Sequence, residues 1–385
     1  MPPGDARTLS GAALCAVHRK NHFASLTLSV RHPSCTRTGM TLHDVQDIVH
    51  RLEAEDPLQL GAPVAWNARR LERRRFSSIH LLEPRTQHAA LLARSGSNAL
   101  VLKVYHGGPA DRRQREYDDL RRVWDEMGPA AGVVRPVACW PDMGAIVTAR
   151  ADGSPLGAWV RRAVVRTSGR DELARTAAAC TEAGEWLRNF QAKGVEAMRG
   201  SCSQHLGSPA AFLAYLDDRL RVLRNSHPGI DGALRTRLLA HAAAALHLLP
   251  KDAFEAVTWS HSDFGPHNVL ADGERITVLD FELHPQHPEF DAAYFVECLA
   301  NQAGPLVDPE RVRRLERAFL AGYGAPVNGP LFALLRLRHL VCSYVSETRR
   351  SGRVPFRTWP GLVVMRVRLQ RFADLLALRS RARAA

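Results

Sequence analysis

A concentrated set of polar residues lies between two short apolar runs in the second half of the sequence. The first run ends in His261 and Asp263, and Asn268 follows that aspartate by five positions. The second run, Ile276 to Leu279, is followed directly by Asp280. Carboxylate and amide groups at the ends of buried strands weaken a core, but their oxygen atoms suit a divalent cation. The spacing therefore indicates a metal site, and the alternative is a polar hairpin whose Asp and Asn residues only occupy turns.

The order His-x-Asp-x-x-x-x-Asn followed by Asp-Phe resembles the catalytic loop and the metal-binding aspartate of kinases. In this respect the chain is similar to the aminoglycoside-phosphotransferase and choline-kinase family, which contains small-molecule relatives of the protein kinases. Glu282 stands where protein kinases have the glycine of Asp-Phe-Gly, which favours the small-molecule branch. Matched landmarks of this resemblance extend over residues 76–300.

The resemblance implies a role for each polar residue. Asp263 would accept a hydrogen bond from the attacking hydroxyl group and take its proton. His261 is the second residue predicted for the catalytic site, and it would hold the loop in place rather than take part in the reaction. Asn268 and Asp280 would be the ligands of a Mg²⁺ ion that bridges the phosphates of ATP. Phosphoryl transfer requires positioning and charge neutralisation more than covalent chemistry, which suits this set.

Three predicted strands, Ser77 to Leu82, Ala89 to Arg94 and Ala99 to Tyr105, are separated by turn-rich connections. Lys103 projects from the middle of the third strand, which is otherwise apolar. Kinases place there the lysine that reaches the α- and β-phosphates. A lysine is informative in a chain whose other basic residues are nearly all arginine, because it supplies a compact point charge. The alternative is a solvated lysine on an edge strand.

An amphipathic helix is predicted from Ala110 to Met127, where apolar residues recur at helical spacing. The family pairs its strand lysine with a glutamate from this helix, and Glu116 matches that glutamate by position. Asp118 and Asp119 are competing candidates, since most acids on such a helix face solvent.

Two further predicted strands, Val133 to Trp140 and Ala145 to Ala149, complete a small five-stranded lobe, and a linker leads into a helix at Trp159. The first hairpin, Glu83 to His88, has no glycine-rich loop to cover phosphates, so the choice between ATP and GTP stays open. The resemblance implies that adenine binds to backbone groups of Thr148, Ala149, Arg150 and Ala151.

The rest of the sequence is predicted to be mainly helical. Segment 284–291 is predicted to be a loop, with Asp291 capping a helix that runs from Ala292 to Ala300. Further helices are predicted for Asp171 to Ala192, Pro209 to Arg224, Gly232 to Leu248, Leu331 to Glu347 and Leu362 to Leu378.

These elements predict an α+β, bilobal protein-kinase-like fold. A small five-stranded antiparallel β lobe with one helix would bind the nucleotide, and a large, mainly helical lobe would carry the catalytic loop and the acceptor site. The expected domains are a poorly ordered extension over 1–40, an N-lobe over 41–150 with a leading helix that begins at Thr41, and a C-lobe over 151–385.

Composition limits the other classes of function. The seven cysteines are scattered without a Cys-x-x-Cys pair, so neither structural zinc nor a disulfide framework is expected, and the plain expectation is a cytoplasmic protein. No apolar run approaches the roughly 18 to 20 residues that span a bilayer. The net charge is +13, but the arginines are spread evenly and form no basic stripe with stacking aromatics, so no specific nucleic-acid partner is expected.

The sequence therefore predicts an ATP- and Mg²⁺-dependent phosphotransferase that acts on a hydroxyl group of a small molecule. The alternatives are a nucleotide-binding pseudokinase and a protein kinase that acts on a partner protein. The arginine-rich segment after Pro330 favours a neutral or anionic acceptor over a polycationic aminoglycoside.

Overall fold

The computed structural model describes twelve stretches of the chain, and the predicted extension 1–40 and the predicted helix that begins at Thr41 lie outside them. The described residues are 78–84, 88–95, 98–105, 110–140, 144–197, 208–226, 230–250, 252–302, 306–324, 327, 329–351 and 362–373. Within these ranges no helix is both long and apolar enough to cross a membrane.

Five strands of the N-terminal part form one antiparallel sheet in the order β1-β2-β3-β5-β4. The strands are β1 (Ser78–Pro84), β2 (His88–Ser95), β3 (Asn98–Tyr105), β4 (Pro136–Trp140) and β5 (Ala145–Ala149). Lys103 lies on the central strand, opposite Ala90 of β2 and Ile146 of β5. The alternative of an edge-strand lysine is therefore wrong.

Helix α1 (Ala110–Met127) packs beside this sheet with the bounds that its periodicity predicts. Its buried face carries Leu120 and Val123, and Glu116 is buried on the same face, one turn before Leu120. The strand after it begins at Pro136 rather than at the predicted Val133, because Val133 forms an isolated parallel bridge with Val278 instead of joining the sheet.

Short strands in the second half of the chain position the polar motif. They are β6 (Ser154–Pro155), β7 (Thr258–Ser260), β8 (Val269–Ala271), β9 (Ile276–Val278) and β10 (His284–Gln286). Strands β6, β8 and β9 form one antiparallel sheet, and β7 pairs with β10. The predicted loop over 284–291 is thus wrong: Pro285 lies within a two-stranded ribbon, where a proline is tolerated because the ribbon has open edges.

Helices form the remainder of the described chain and surround an aromatic core. Phe264 is fully buried and lies between Trp186 and Phe295, with ring centroids 5.4 and 5.5 Å away. The helices are α2 (Leu156–Ala163), α3 (Arg170–Ala197), α4 (Pro209–Ser226), α5 (Gly232–His247), α6 (Glu289–Ala300), α7 (Pro309–Tyr323), α8 (Pro330–Ser351) and α9 (362–373). Helix α2 begins three residues before the predicted Trp159, and α7 was not predicted.

Helices α3 and α7 cross at two glycines that face each other. A Cβ atom on Gly184 would lie 2.1 Å from the carbonyl oxygen of Phe319, and a Cβ atom on Gly322 would lie 2.0 Å from that of Thr181. Both distances are far below a van der Waals contact, and both partners are backbone atoms. Only glycine therefore permits this separation of the two helices.

We predict that Gly322→Ala lowers the free energy of unfolding by about 1–3 kcal/mol or more, because the added methyl group must push α3 and α7 apart. Urea denaturation measures the effect. The matched control is Gly232→Ala at the start of α5, where a Cβ atom meets nothing within 4 Å. That variant should be unchanged or slightly more stable, and equal losses in the two variants would contradict the close crossing.

Candidate active site

The polar motif lies at the open end of the β8–β9 pair, opposite the turn that connects the two strands. Val269 pairs with Val278, and the next backbone bond runs from the Leu279 amide to the Asn268 carbonyl oxygen at 2.9 Å. Because this ladder places residue 268 beside residue 279, Asn268 and Asp280 are brought to neighbouring positions. The loop between β7 and β8 carries His261 and Asp263 to the same region.

Three side chains orient the Asp263 carboxylate, which is only 6% exposed. The Tyr294 hydroxyl group donates to Oδ1 at 2.8 Å, and Asn268 Nδ2 donates to Oδ2 at 2.6 Å. His267 Nε2 lies 3.1 Å from the same Oδ2. This carboxylate is held by neighbours from its own loop and from α6.

Tyr294 and His267 were not predicted as site residues. His267 lies inside the motif, four positions after Asp263, so its spacing was a signal that could have identified it. Tyr294 is thirty-one positions after Asp263 on a largely apolar helix, where a tyrosine is indistinguishable from a core residue by pattern alone.

His261 is buried and joins the loop to the strand that precedes Asp280. Its Nε2 lies 2.7 Å from the Leu279 carbonyl oxygen, and its ring centroid lies 4.9 Å from that of Phe281. Burial lowers the pKa of the imidazole, so the neutral ring donates its N–H to Leu279. This geometry suits a positioning residue rather than one that exchanges protons with a substrate.

Asp291 does not cap a helix as predicted. Helix α6 begins at Glu289, so Asp291 lies inside its first turn, fully buried. Its carboxylate accepts hydrogen bonds from the backbone amides of His261 at 2.8 Å and of Ser262 at 3.0 Å, and from the Ser260 hydroxyl group at 2.9 Å. The residue therefore fixes the backbone of the loop that carries Asp263.

The backbone held by Asp291 is in a costly conformation. Ser262 has φ +64°, in the left-handed region, where a residue other than glycine is unfavourable by about 1–3 kcal/mol. Asp280, at the other end of the motif, has φ +62°. Burial raises the pKa of Asp291 to about 7, although its three hydrogen bonds act in the opposite direction.

Lys103 connects the N-terminal sheet to the second half of the chain. Its Nζ lies 2.8 Å from Glu116 Oε1 and 2.6 Å from Asp280 Oδ1. Burial by itself lowers the pKa of the lysine, but the carboxylates of Asp280 and Glu116 outweigh it and hold the pKa well above its usual range. Lys103 is therefore a cation that holds two acids in place.

Glu116, rather than either competing acid of α1, pairs with Lys103. Its Oε2 also accepts a hydrogen bond from the Tyr105 hydroxyl group at 2.5 Å. Asp118 is exposed, whereas Asp119 accepts the Leu283 amide at 3.1 Å. Burial raises the pKa of Asp119 to about 6.

A cavity of about 590 Å³ lies between the sheet and the polar motif. Its lining includes all the predicted cofactor-binding and metal-binding residues: Lys103, Glu116, Thr148, Ala149, Arg150, Ala151, Asn268 and Asp280. Apolar side chains such as Leu92, Val101 and Leu270 form much of the rest, which is typical of a small-molecule site. His261 and Asp263 are not part of this lining.

The linker presents few free backbone donors to the cavity. The Ala149 amide donates to the Arg135 carbonyl oxygen and the Arg150 amide to that of Ala99, both at 2.9 Å. Within the described residues the Ala151 amide has no backbone acceptor. The Ala151 amide is therefore available to a ligand in the cavity.

The donor set is compatible with Mg²⁺. The amide nitrogen of Asn268 donates to Asp263, which leaves its Oδ1 oxygen, and Asp280 adds a carboxylate. The described part of the chain contains no group of three or more His, Cys, Asp or Glu that could hold a metal ion. Mg²⁺ is commonly held by one or two protein oxygens together with water and substrate phosphates, so two such ligands suffice.

Comparison with protein families gives one match, which covers more than half of the chain. The model of the phosphotransferase enzyme family matches residues 88–327, a range that includes every candidate residue above. No curated protein sequence matches the chain significantly.

Several solved structures share the fold. A thermostable mutant of the aminoglycoside phosphotransferase APH(4)-Ia, in a ternary complex with ADP and hygromycin B, is 15% identical and has a TM-score of 0.56, covering 80% of this chain and 97% of that chain. A putative aminoglycoside phosphotransferase from Ralstonia eutropha JMP134 is 12% identical and has a TM-score of 0.53, covering 86% and 98%. These likenesses confirm the predicted protein-kinase-like architecture of helices and antiparallel sheet.

We predict that Asp291→Asn destabilises the protein by about 1–3 kcal/mol and lowers its activity, because an amide group has one acceptor oxygen for three converging donors. The control is Asp308→Asn. Asp308 caps α7 by accepting the Glu310 amide, and Asn caps a helix as well as Asp does. If thermal unfolding shows the two variants to be equally stable, Asp291 does not hold the loop.

Proposed function

Because the chain belongs to the phosphotransferase enzyme family, we propose that it transfers the γ-phosphoryl group of ATP to a hydroxyl group of a small molecule, in a reaction that depends on Mg²⁺. The contact of Lys103 with both Glu116 and Asp280 carries this proposal. It joins a central strand, a helix and the aspartate that follows β9 at one end of a cavity of nucleotide size. A purely structural ion pair would not require a cavity beside it.

Each residue around the cavity has a proposed role. Lys103 neutralises phosphate oxygens and is kept in place by Glu116. Asp280 and the amide oxygen of Asn268 would hold Mg²⁺, which when bound would supply charge neutralisation at the phosphates. The apolar walls and the Ala151 amide bind the base of the nucleotide.

Asp263 is the proposed general base. Tyr294 and Asn268 fix its two carboxylate oxygens, so the carboxylate is already oriented before the acceptor binds. Its carboxylate accepts a hydrogen bond from the attacking hydroxyl group and then takes the proton. His261 and Asp291 act through the backbone around it and are positioning residues.

We predict that Asp263→Asn lowers turnover by about 10² to 10⁴, the range for a positioned proton transfer, while nucleotide affinity changes little because the side chain keeps its shape. The assay is ATP consumption with a panel of alcohols that includes an aminoglycoside, choline, homoserine, sugars and anionic alcohols such as sugar phosphates.

The control for this experiment is Asp272→Asn, an isosteric change at an exposed aspartate of the β8–β9 turn. Its turnover should equal that of the wild type. If Asp263→Asn also retains wild-type turnover, Asp263 is not the base. If the wild-type protein binds ATP but transfers no phosphoryl group to any acceptor or to water, the protein is a pseudokinase.

A second prediction separates the metal from the phosphate contact. Asp280→Ala should abolish the dependence of ATP affinity on Mg²⁺, because it removes the only carboxylate proposed as a ligand. Lys103→Met should weaken ATP binding at every Mg²⁺ concentration, since the phosphates lose a direct positive charge. Titration calorimetry with and without Mg²⁺ distinguishes the two patterns, and wild-type binding by both variants would refute the assignment of the site.

A further inference from the structure

Arg338 of α8 is a buried cation for which the described residues provide no hydrogen-bond partner. Its side chain is 1% exposed, and within the described residues none of its three guanidinium nitrogens makes a hydrogen bond. A buried charge is strongly unfavourable unless paired groups compensate for its lost hydration. A positive charge left in this state needs an explanation other than stability.

Two aromatic rings contact the guanidinium group but leave its donors unsatisfied. Its central carbon lies 4.6 Å from the ring centroid of Tyr215 on α4 and 4.7 Å from that of Phe290 on α6. Rings that stack on the faces of a guanidinium contribute a cation–π attraction. The N–H groups point outward in the guanidinium plane, where a planar oxyanion forms two parallel hydrogen bonds.

Neighbouring arginines of the same helical region are paired. Arg336, two residues earlier on α8, lies 3.6 Å from both Glu297 and Glu316, and Arg368 of α9 pairs with Glu297. Among the described residues, carboxylates therefore lie beside these two cations and none lies beside Arg338. The described residues thus supply no anion to Arg338, and an oxyanion of a ligand would complete its pairing.

A chain of side-chain contacts links this cation to the proposed base. Phe290, which contacts Arg338, has its ring centroid 4.7 Å from that of His339. The His339 ring lies 5.1 Å from the ring of Tyr294, whose hydroxyl group donates to Asp263. Arg338 is thus four contacts away from the carboxylate that would receive the proton.

A second arginine, Arg219, also lies near Tyr215 and is paired with Asp218 at 3.4 Å. The guanidinium of Arg219 lies 5.2 Å from the Tyr215 ring centroid, so two cations contact one tyrosine. Tyr215 is itself only half-buried and covers Arg338 from the α4 side.

We propose that Arg338 binds an oxyanion of the acceptor, a carboxylate or a phosphate group, beside the rings of Tyr215 and Phe290. The proposal rests on the proposed function and specifies its substrate class as an anionic hydroxyl compound. Arg338 is then the residue that selects the acceptor by charge, and a polycationic acceptor is excluded from this position.

The test is thermal unfolding of the full chain without nucleotide or Mg²⁺, in buffers that contain acetate, inorganic phosphate or chloride at matched ionic strength. The two oxyanions separate the carboxylate and phosphate forms of the ligand. Three variants accompany the wild type. Arg338→Met removes the charge, Arg338→Lys keeps a charge but not the planar fork, and Arg366→Met removes an exposed arginine of α9.

At least one oxyanion should raise the melting temperature of the wild type and of Arg366→Met in a saturable way relative to chloride. The increase in melting temperature should disappear in Arg338→Met and become much smaller in Arg338→Lys. If Arg338→Met does not fold, Arg338→Lys alone tests the proposal. Because Lys103 is present in all four proteins, anion binding near it cancels in the comparison.

Two results would overturn the proposal: no oxyanion-specific increase in the wild type, or an increase of equal size in the Arg338 variants. Equal losses in Arg366→Met and Arg338→Met would also overturn it, because they would indicate a general effect of net charge. The measurement requires no turnover. Its outcome is therefore separate from that of the Asp263→Asn assay, which tests the phosphotransfer itself.

Discussion

The shared contact of Lys103 with Glu116 and Asp280 is the constraint on which the site depends. A lysine on a central strand can remain charged while buried only if acids compensate for its lost hydration. One of these acids comes from α1 and the other follows β9, so the contact ties the sheet to the polar motif. Lys103, Asn268 and the residues of the linker all line the cavity.

A second constraint keeps the catalytic loop in an unfavourable shape. Ser262 and Asp280 both adopt left-handed backbone conformations, which persist only where surrounding interactions determine them. Asp291 supplies those interactions for the loop, and His261 supplies a hydrogen bond to the strand before Asp280. The strained residues Ser262 and Asp280 and the buried carboxylates of Asp263 and Asp291 all belong to this part of the chain.

Local patterns predicted the elements well, and long-range contacts explain the failures. Periodicity predicted the bounds of α1 and β5, because each element has one apolar face or a short apolar run. The segment 284–291 looked like a loop because its two prolines suit turns, yet pairing with β7 makes part of it a strand. The spacing of the motif predicted that Asp263, Asn268 and Asp280 lie together. The role of Asp291 could not be predicted from local spacing, because its partner His261 is thirty residues away in the sequence.

The central claim is that the Lys103–Asp280 end of the cavity binds the phosphates of ATP and its metal ion. A crystal structure with a non-hydrolysable ATP analogue and Mg²⁺ tests this claim most directly. It should show the base beside the Ala151 amide, the phosphates within hydrogen-bond distance of Lys103, and the metal on Asp280 and Asn268. A nucleotide bound elsewhere, or a metal held by other residues, would contradict the account.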